Sequence, residues 1–102
     1  MNKKLRKAIE ECGWNINSDT SITIFTDTTG REVTIECNEP KELIQTIKNY
    51  YEGYDVDEEV ELYLQAKQNG LSGVPNARTL VKDCEEVETL LEKLYEAIMR
   101  IS

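Results

Sequence analysis

Apolar and polar positions along the chain follow two different periods. Near the start, Leu5, Ala8, Ile9 and Cys12 recur at three- and four-residue spacings, and Gly13 follows where a left-handed helix cap is wanted. This predicts a short first helix over 3–12. From Ser21 the period shortens to two. Ile22 and Ile24 alternate with Ser21, Thr23 and Phe25; beyond the turn sequence Asp27-Thr28-Thr29-Gly30, Val33, Ile35 and Cys37 alternate with Glu32, Thr34 and Glu36. Two antiparallel strands sharing one buried face are expected, entered through Trp14 and Ile16, with Trp14 completing a small core.

Helical period then returns. Asn38 is the expected N-cap, Glu39 and Pro40 suit a first turn, and Leu43, Ile44, Ile47, Tyr50 and Tyr51 recur until Gly53. Tyr50, Tyr51 and Tyr54 cannot all face inward from one helix end, so at least one is expected on the surface. Asp55 and Glu58 have the spacing of a capping box for a third helix, whose stripe is Val56, Val60, Tyr63, Leu64 and Lys67, closed by Asn69-Gly70. Residues 70–75 read as an ordered elbow with Leu71 and Val74 turned inward. A last helix runs from Asn76, as cap, to about Arg100, with a second capping spacing at Asp83 and Glu86 where it could re-initiate. Along it Leu80, Cys84, Val87, Leu91, Leu94, Ile98 and Ile101 fall at alternating four- and three-residue steps. The expectation is one α+β domain over 1–102: an N-terminal helix, an antiparallel hairpin or small sheet, then three helices ending in a long amphipathic one.

Composition adds that this is an ordinary globular chain in all but charge. Of 102 residues, 39% are hydrophobic and 31% charged, enough for one modest core. Twenty acids face twelve bases, for a formal charge of -8. Four of the bases are Lys3, Lys4, Arg6 and Lys7, so residues 8–102 hold twenty acids against eight bases, -12. Such a surface repels nucleic acid phosphates and attracts basic surfaces at long range. Neither a direct nucleic-acid contact nor a membrane contact is expected, and the basic N-terminal patch reads as a solvated helix face. Three cysteines without CxxC spacing, Cys12, Cys37 and Cys84, read as reduced core thiols of a cytoplasmic protein. No apolar run of about 18 residues marks a membrane span, and no signal-peptide pattern opens the chain.

Candidate chemistry is sparse. Histidine is absent, which removes the commonest general base, the commonest metal ligand and every Ser-His or Cys-His arrangement. Asp55, Asp57, Glu59 and Glu61 alternate like a calcium loop, yet Val60 stands where its glycine is needed and Ala66 where its last glutamate is needed. No catalytic residue, cofactor or metal is therefore expected, and the chain reads as a binding protein, not an enzyme. Two acidic clusters remain: Glu52, Asp55, Asp57, Glu58, Glu59 and Glu61 within ten residues without a base, and Asp83, Glu85, Glu86, Glu88, Glu92 and Glu96 with only Lys93 among them. Like charges at helical spacing cost a few tenths of a kcal/mol per pair. If the clusters form one face, it imitates phosphates; the alternative is a solubilising surface. The expected partner surface comprises Glu52, Tyr54, Asp55, Asp57, Glu58, Glu59, Glu61, Glu85, Glu88 and Glu92. The heptad of the last helix reads as core, a long helix lying across the hairpin and the other helices; the alternative is that its last turns, at Leu94, Ile98 and Ile101, project past the body and pair with a second copy in a homodimer, as in a structural or adaptor protein.

The stretch from Tyr54 to Lys67, with Asn69-Gly70-Leu71-Ser72-Gly73-Val74-Pro75 behind it, resembles small acidic proteins carried by phages and mobile elements of Firmicutes. The likeness covers residues 54–97, with a weaker one in the hairpin behind Trp14. No catalytic motif belongs to that group, so the resemblance brings no site residue. It implies a setting: such proteins are often anti-defence proteins, among them anti-CRISPRs that occlude the DNA groove of a Cas nuclease. The partner implied is a protein with a basic surface, a Cas or restriction nuclease.

Overall fold

A computed structural model describes residues 1–68 and 77–101. Helix α1 spans Lys3–Glu11, capped by the Asn2 side chain, which accepts from the Leu5 amide at 2.7 Å. It ends at Gly13 in the left-handed region, φ 88°, as its glycine predicts. Strands β1 (Asn15–Ser18), β2 (Ser21–Phe25) and β3 (Glu32–Glu36) form an antiparallel sheet in the order β1-β2-β3. Ile22 pairs with Ile35 and Ile24 with Val33, so the apolar positions share one face. On the other face Thr23 and Thr34 are hydrogen-bonded through their hydroxyls, and Asn17 donates to Thr23 Oγ1 at 2.7 Å.

A 3-10 turn at Pro40–Glu42 leads into α2 (Leu43–Glu52), and α3 (Val56–Gln68) follows after Gly53. Glu39, not Asn38, opens this segment: its amide donates to the Glu42 carboxylate at 3.0 Å. Asp55 caps α3 as its spacing requires, Oδ1 accepting from the amides of Asp57 and Glu58. The last helix, α4 (Ala77–Ile101), is continuous through Asp83. At 1.5 Å per residue its 25 residues extend about 37 Å, most of the molecule's 43 Å length. The expected elbow over residues 70–75 and the caps at Asn69-Gly70 and Asn76 lie outside the described residues.

One core joins these elements. Leu5 and Ile9 of α1, Ile22, Ile24, Val33 and Ile35 of the sheet, Leu43 and Ile47 of α2, and Val87, Leu91, Leu94 and Ile98 of α4 are buried together with Trp14. Leu80 and Cys84 extend the buried stripe of α4 toward its start. The helices thus cover one sheet face, and the α+β architecture is the one the periodicities predict. The expected dimer contacts are corrected at two of their three positions: Leu94 and Ile98 are fully buried and present no surface to a second copy, and Ile101 alone of the three remains exposed.

Candidate functional site: an acidic groove

The two acidic clusters of the sequence meet where the α2–α3 junction crosses α4. Asp55 caps α3, which sets Asp57 and Glu58 in that helix's first turn. There their negative charge complements the positive end of the helix dipole. Glu52 closes α2 just before. On α4, Glu85 and Glu88 lie three residues apart on one face. These six carboxylates line one groove of about 740 Å³, with Tyr54 and Thr89 between them. Among the described residues no lysine or arginine lines the groove, and no ion pair reaches any of the six. No three acidic or cysteine side chains among the described residues converge closely enough to share a metal ion. The charge is spread along the groove instead of focused at a point.

Tyrosines mark the flanks of this field. Tyr51 and Tyr95 stack with ring centroids 4.8 Å apart, beside the groove's α4 wall. Burial, and then the negative charges of Glu92, Glu88 and Glu96, push the Tyr51 phenol up from its ordinary value. The acidic stripe of α4 therefore continues past the groove to Glu92 and Glu96. Tyr54 is tied down: its hydroxyl donates to the Cys84 carbonyl at 3.1 Å, and burial drives its pKa far upward. Tyr50 is the exposed tyrosine of the three.

Of the ten residues expected to form a partner surface, seven line the groove: Glu52, Tyr54, Asp55, Asp57, Glu58, Glu85 and Glu88. Glu92 lies beyond it on the same stripe. Glu59 and Glu61 do not line it; Glu59 is half-buried, and its charge acts on Tyr50 and Tyr54. Two acids of the second cluster serve a different purpose. Asp83 is buried and paired with Arg31, and Glu86 accepts from the amides of Asp27 and Thr28 and from the Thr28 hydroxyl. They fasten the β2–β3 turn to α4 and contribute nothing to an outward anionic face.

The surroundings of the three thiols favour their protonated form. Cys12 and Cys84 are buried and Cys37 is half-buried. Desolvation, the largest influence on each, raises all three pKa values and so depletes the nucleophilic thiolate. No helix among the described residues is long and apolar enough to cross a membrane.

No protein-family model, curated protein or solved structure matches the chain.

Proposed function

We propose that this chain is a non-enzymatic binding protein, an anti-defence inhibitor that occupies the basic nucleic-acid groove of a Cas or restriction nuclease through its acidic surface. One observation carries the reading: six carboxylates from two separate sequence clusters line a single groove, without a cation among the described residues that line it. A formal charge of -8 draws such a groove toward a cationic channel at long range, which speeds encounter. Rows of fixed carboxylates on helices satisfy the same lysines and arginines that phosphates would, because those side chains recognise charge and oxygen acceptors. The anti-defence setting comes from the resemblance of residues 54–97 to small acidic mobile-element proteins. An adaptor oligomerising through Leu94 and Ile98 is the weaker reading, since both side chains are inside the core.

The test is DNA cleavage by a panel of Cas and restriction nucleases, with wild type and a D57N/E58Q/E85Q/E88Q variant. Wild type is expected to block one of them, less effectively as salt rises, and the neutralised variant to lose the block while keeping its fold. A folded variant that inhibits as well as wild type would sink the mechanism.

A further inference from the structure

At the edge of the acidic surface stands a pair of tyrosines that neither the core nor the groove accounts for. Tyr51 of α2 and Tyr95 of α4 stack with their ring planes 26° from parallel. The two rings are not equivalent. Tyr51 belongs to the half-buried side chains packed against the core; Tyr95, also half-buried, is not among the described residues that pack there. Tyr95 is therefore the outer ring of the pair. Met99, one helical turn beyond it, is 44% exposed.

Carboxylates surround this ring. Glu88, Glu92 and Glu96, all exposed, follow at four-residue steps on α4, and Tyr95 lies three residues after Glu92, within the same helix face. The charges of all three reach the Tyr51 phenol. Glu96 has Lys93 and Arg100 about a turn to either side, but Glu88 and Glu92 have no base at three- or four-residue spacing. Lys93 and Arg100 line the groove between α1 and α4, on another flank of the helix. On α2, Lys48 lies one turn before Tyr51, and no ion pair among the described residues joins it to a carboxylate. An aromatic face and two carboxylates without a neighbouring base on their helix all attract a cation.

We infer that Tyr95, Glu88 and Glu92 form a subsite for an arginine side chain of a protein partner, the guanidinium lying over the Tyr95 ring and its N–H groups donating to the carboxylates. The inference rests on the reading that the acidic surface meets a cationic protein, and it names the side chain that this surface selects. A guanidinium is planar, so it can stack on a ring and still present its fork of donors to a carboxylate; the compact, strongly hydrated ammonium of lysine does one or the other. The methylene stem of an arginine would find apolar surface at Met99. Glu88 also lines the acidic groove, so the subsite extends the same docking surface past the end of that groove.

Titration of the full chain with two labelled peptides of equal length and charge, one alternating arginine with glycine and the other lysine with glycine, tests this by fluorescence anisotropy. Wild type is expected to bind the arginine peptide about two- to fivefold more tightly, the range a cation–π contact at an exposed site supplies. Y95L keeps the charge and is expected to bind both peptides alike, with unchanged circular dichroism. Y95F keeps the ring and should keep the preference, whereas E88Q/E92Q should bind the arginine peptide more weakly. Without any variant, the Tyr95 ring resonances of wild type are expected to shift with the arginine peptide and not with the lysine one, which decides the matter should Y95L fail to fold. Equal affinity of wild type for the two peptides overturns the subsite, as does a preference that survives in folded Y95L, is lost in Y95F, or is accompanied by unmoved Tyr95 resonances. Undiminished binding of the arginine peptide by E88Q/E92Q overturns it too. The peptides report the subsite without a nuclease. An arginine preference in a protein that blocks no nuclease therefore retires the inhibitor reading alone, and a nuclease block without the preference retires the subsite alone.

Discussion

Arg31 Nε donates to Asp83 Oδ2 at 2.7 Å, joining the β2–β3 turn to α4 across 52 residues of chain. Asp83 is 1% exposed, and its second oxygen accepts from the Thr29 hydroxyl at 2.8 Å. The next residue, Cys84, offers its carbonyl to Tyr54, which lines the acidic groove. The buried pair therefore holds the segment of α4 to which that tyrosine is anchored, and through it the groove's two walls.

Replacing Asp83 by Ala leaves the Arg31 guanidinium without its carboxylate in a largely buried setting. Breaking such a pair on one side costs about 3 kcal/mol, the lower end of the usual range because the arginine keeps some solvent contact at 23% exposure. Urea denaturation is expected to show the midpoint falling at an unchanged slope. A midpoint within error of wild type would mean that the pair contributes little.

Acid should undo the same fastening. Burial works to raise the pKa values of Asp83 and Glu86 but is outweighed. Hydrogen bonds from Thr26, Arg31 and Thr29 and the Arg31 charge pull Asp83 below its ordinary value. Bonds from the Thr28 hydroxyl and from the amides of Asp27 and Thr28 do the same for Glu86. Because the folded values lie below the unfolded ones, the unfolded chain binds more protons in the interval between them, and stability rises with pH there. The contribution is complete above the ordinary carboxylate range of about 4 and is lost as pH falls through the lower folded values. The check is a series of urea midpoints from neutral to acid pH, in which D83N/E86Q should lose part of the wild-type slope. Parallel profiles for the two proteins would contradict it.

The helices and the hairpin were legible because each buries a face whose period survives in one dimension. Strand β1 was not: Asn15, Ile16 and Asn17 offer a single apolar residue, and what makes them a strand is pairing with β2, which only the folded chain supplies. The acids could be counted but not sorted. Asp83 and Glu85 look alike in a run of carboxylates, and what separates them is the β2–β3 turn, which brings Arg31 over one and not the other. For the same reason Asp83 does not restart a helix: its oxygens already serve Arg31 and Thr29. Heptad spacing marked Leu94 and Ile98 as apolar without saying whether the sheet or a second copy would cover them.

Within the groove, position on the helix should decide the sign of a neutralisation. Glu88 sits mid-helix with Glu85 three residues before it and Glu92 four after, so both helical neighbours repel it. E88Q is expected to stabilise the fold by about 0.5 kcal/mol at low salt, a few tenths from each neighbour, and by less as salt rises. Asp57 instead lies in the first turn of α3, where its charge meets the helix dipole. D57N should therefore destabilise by roughly 0.3–1 kcal/mol despite lowering the same surface charge. Thermal melts of the two variants at low and high salt would expose a common sign, which would refute this division of roles.

Leu94 offers the sharpest separation of core from surface. Its side chain is fully buried among residues of α1, the sheet and α2, whereas Ile101, two turns on, is exposed. L94A should cost about 3 kcal/mol, combining lost transfer energy with the cavity left behind. I101A should shift stability by less than about 0.5 kcal/mol. A double polar substitution at Leu94 and Ile98 would place two polar groups in a packed interior and is expected to unfold the chain. Any loss of association in that variant would report unfolding. Denaturation of L94A beside I101A settles the assignment: an L94A protein as stable as wild type would mean that Leu94 faces a partner and not the core.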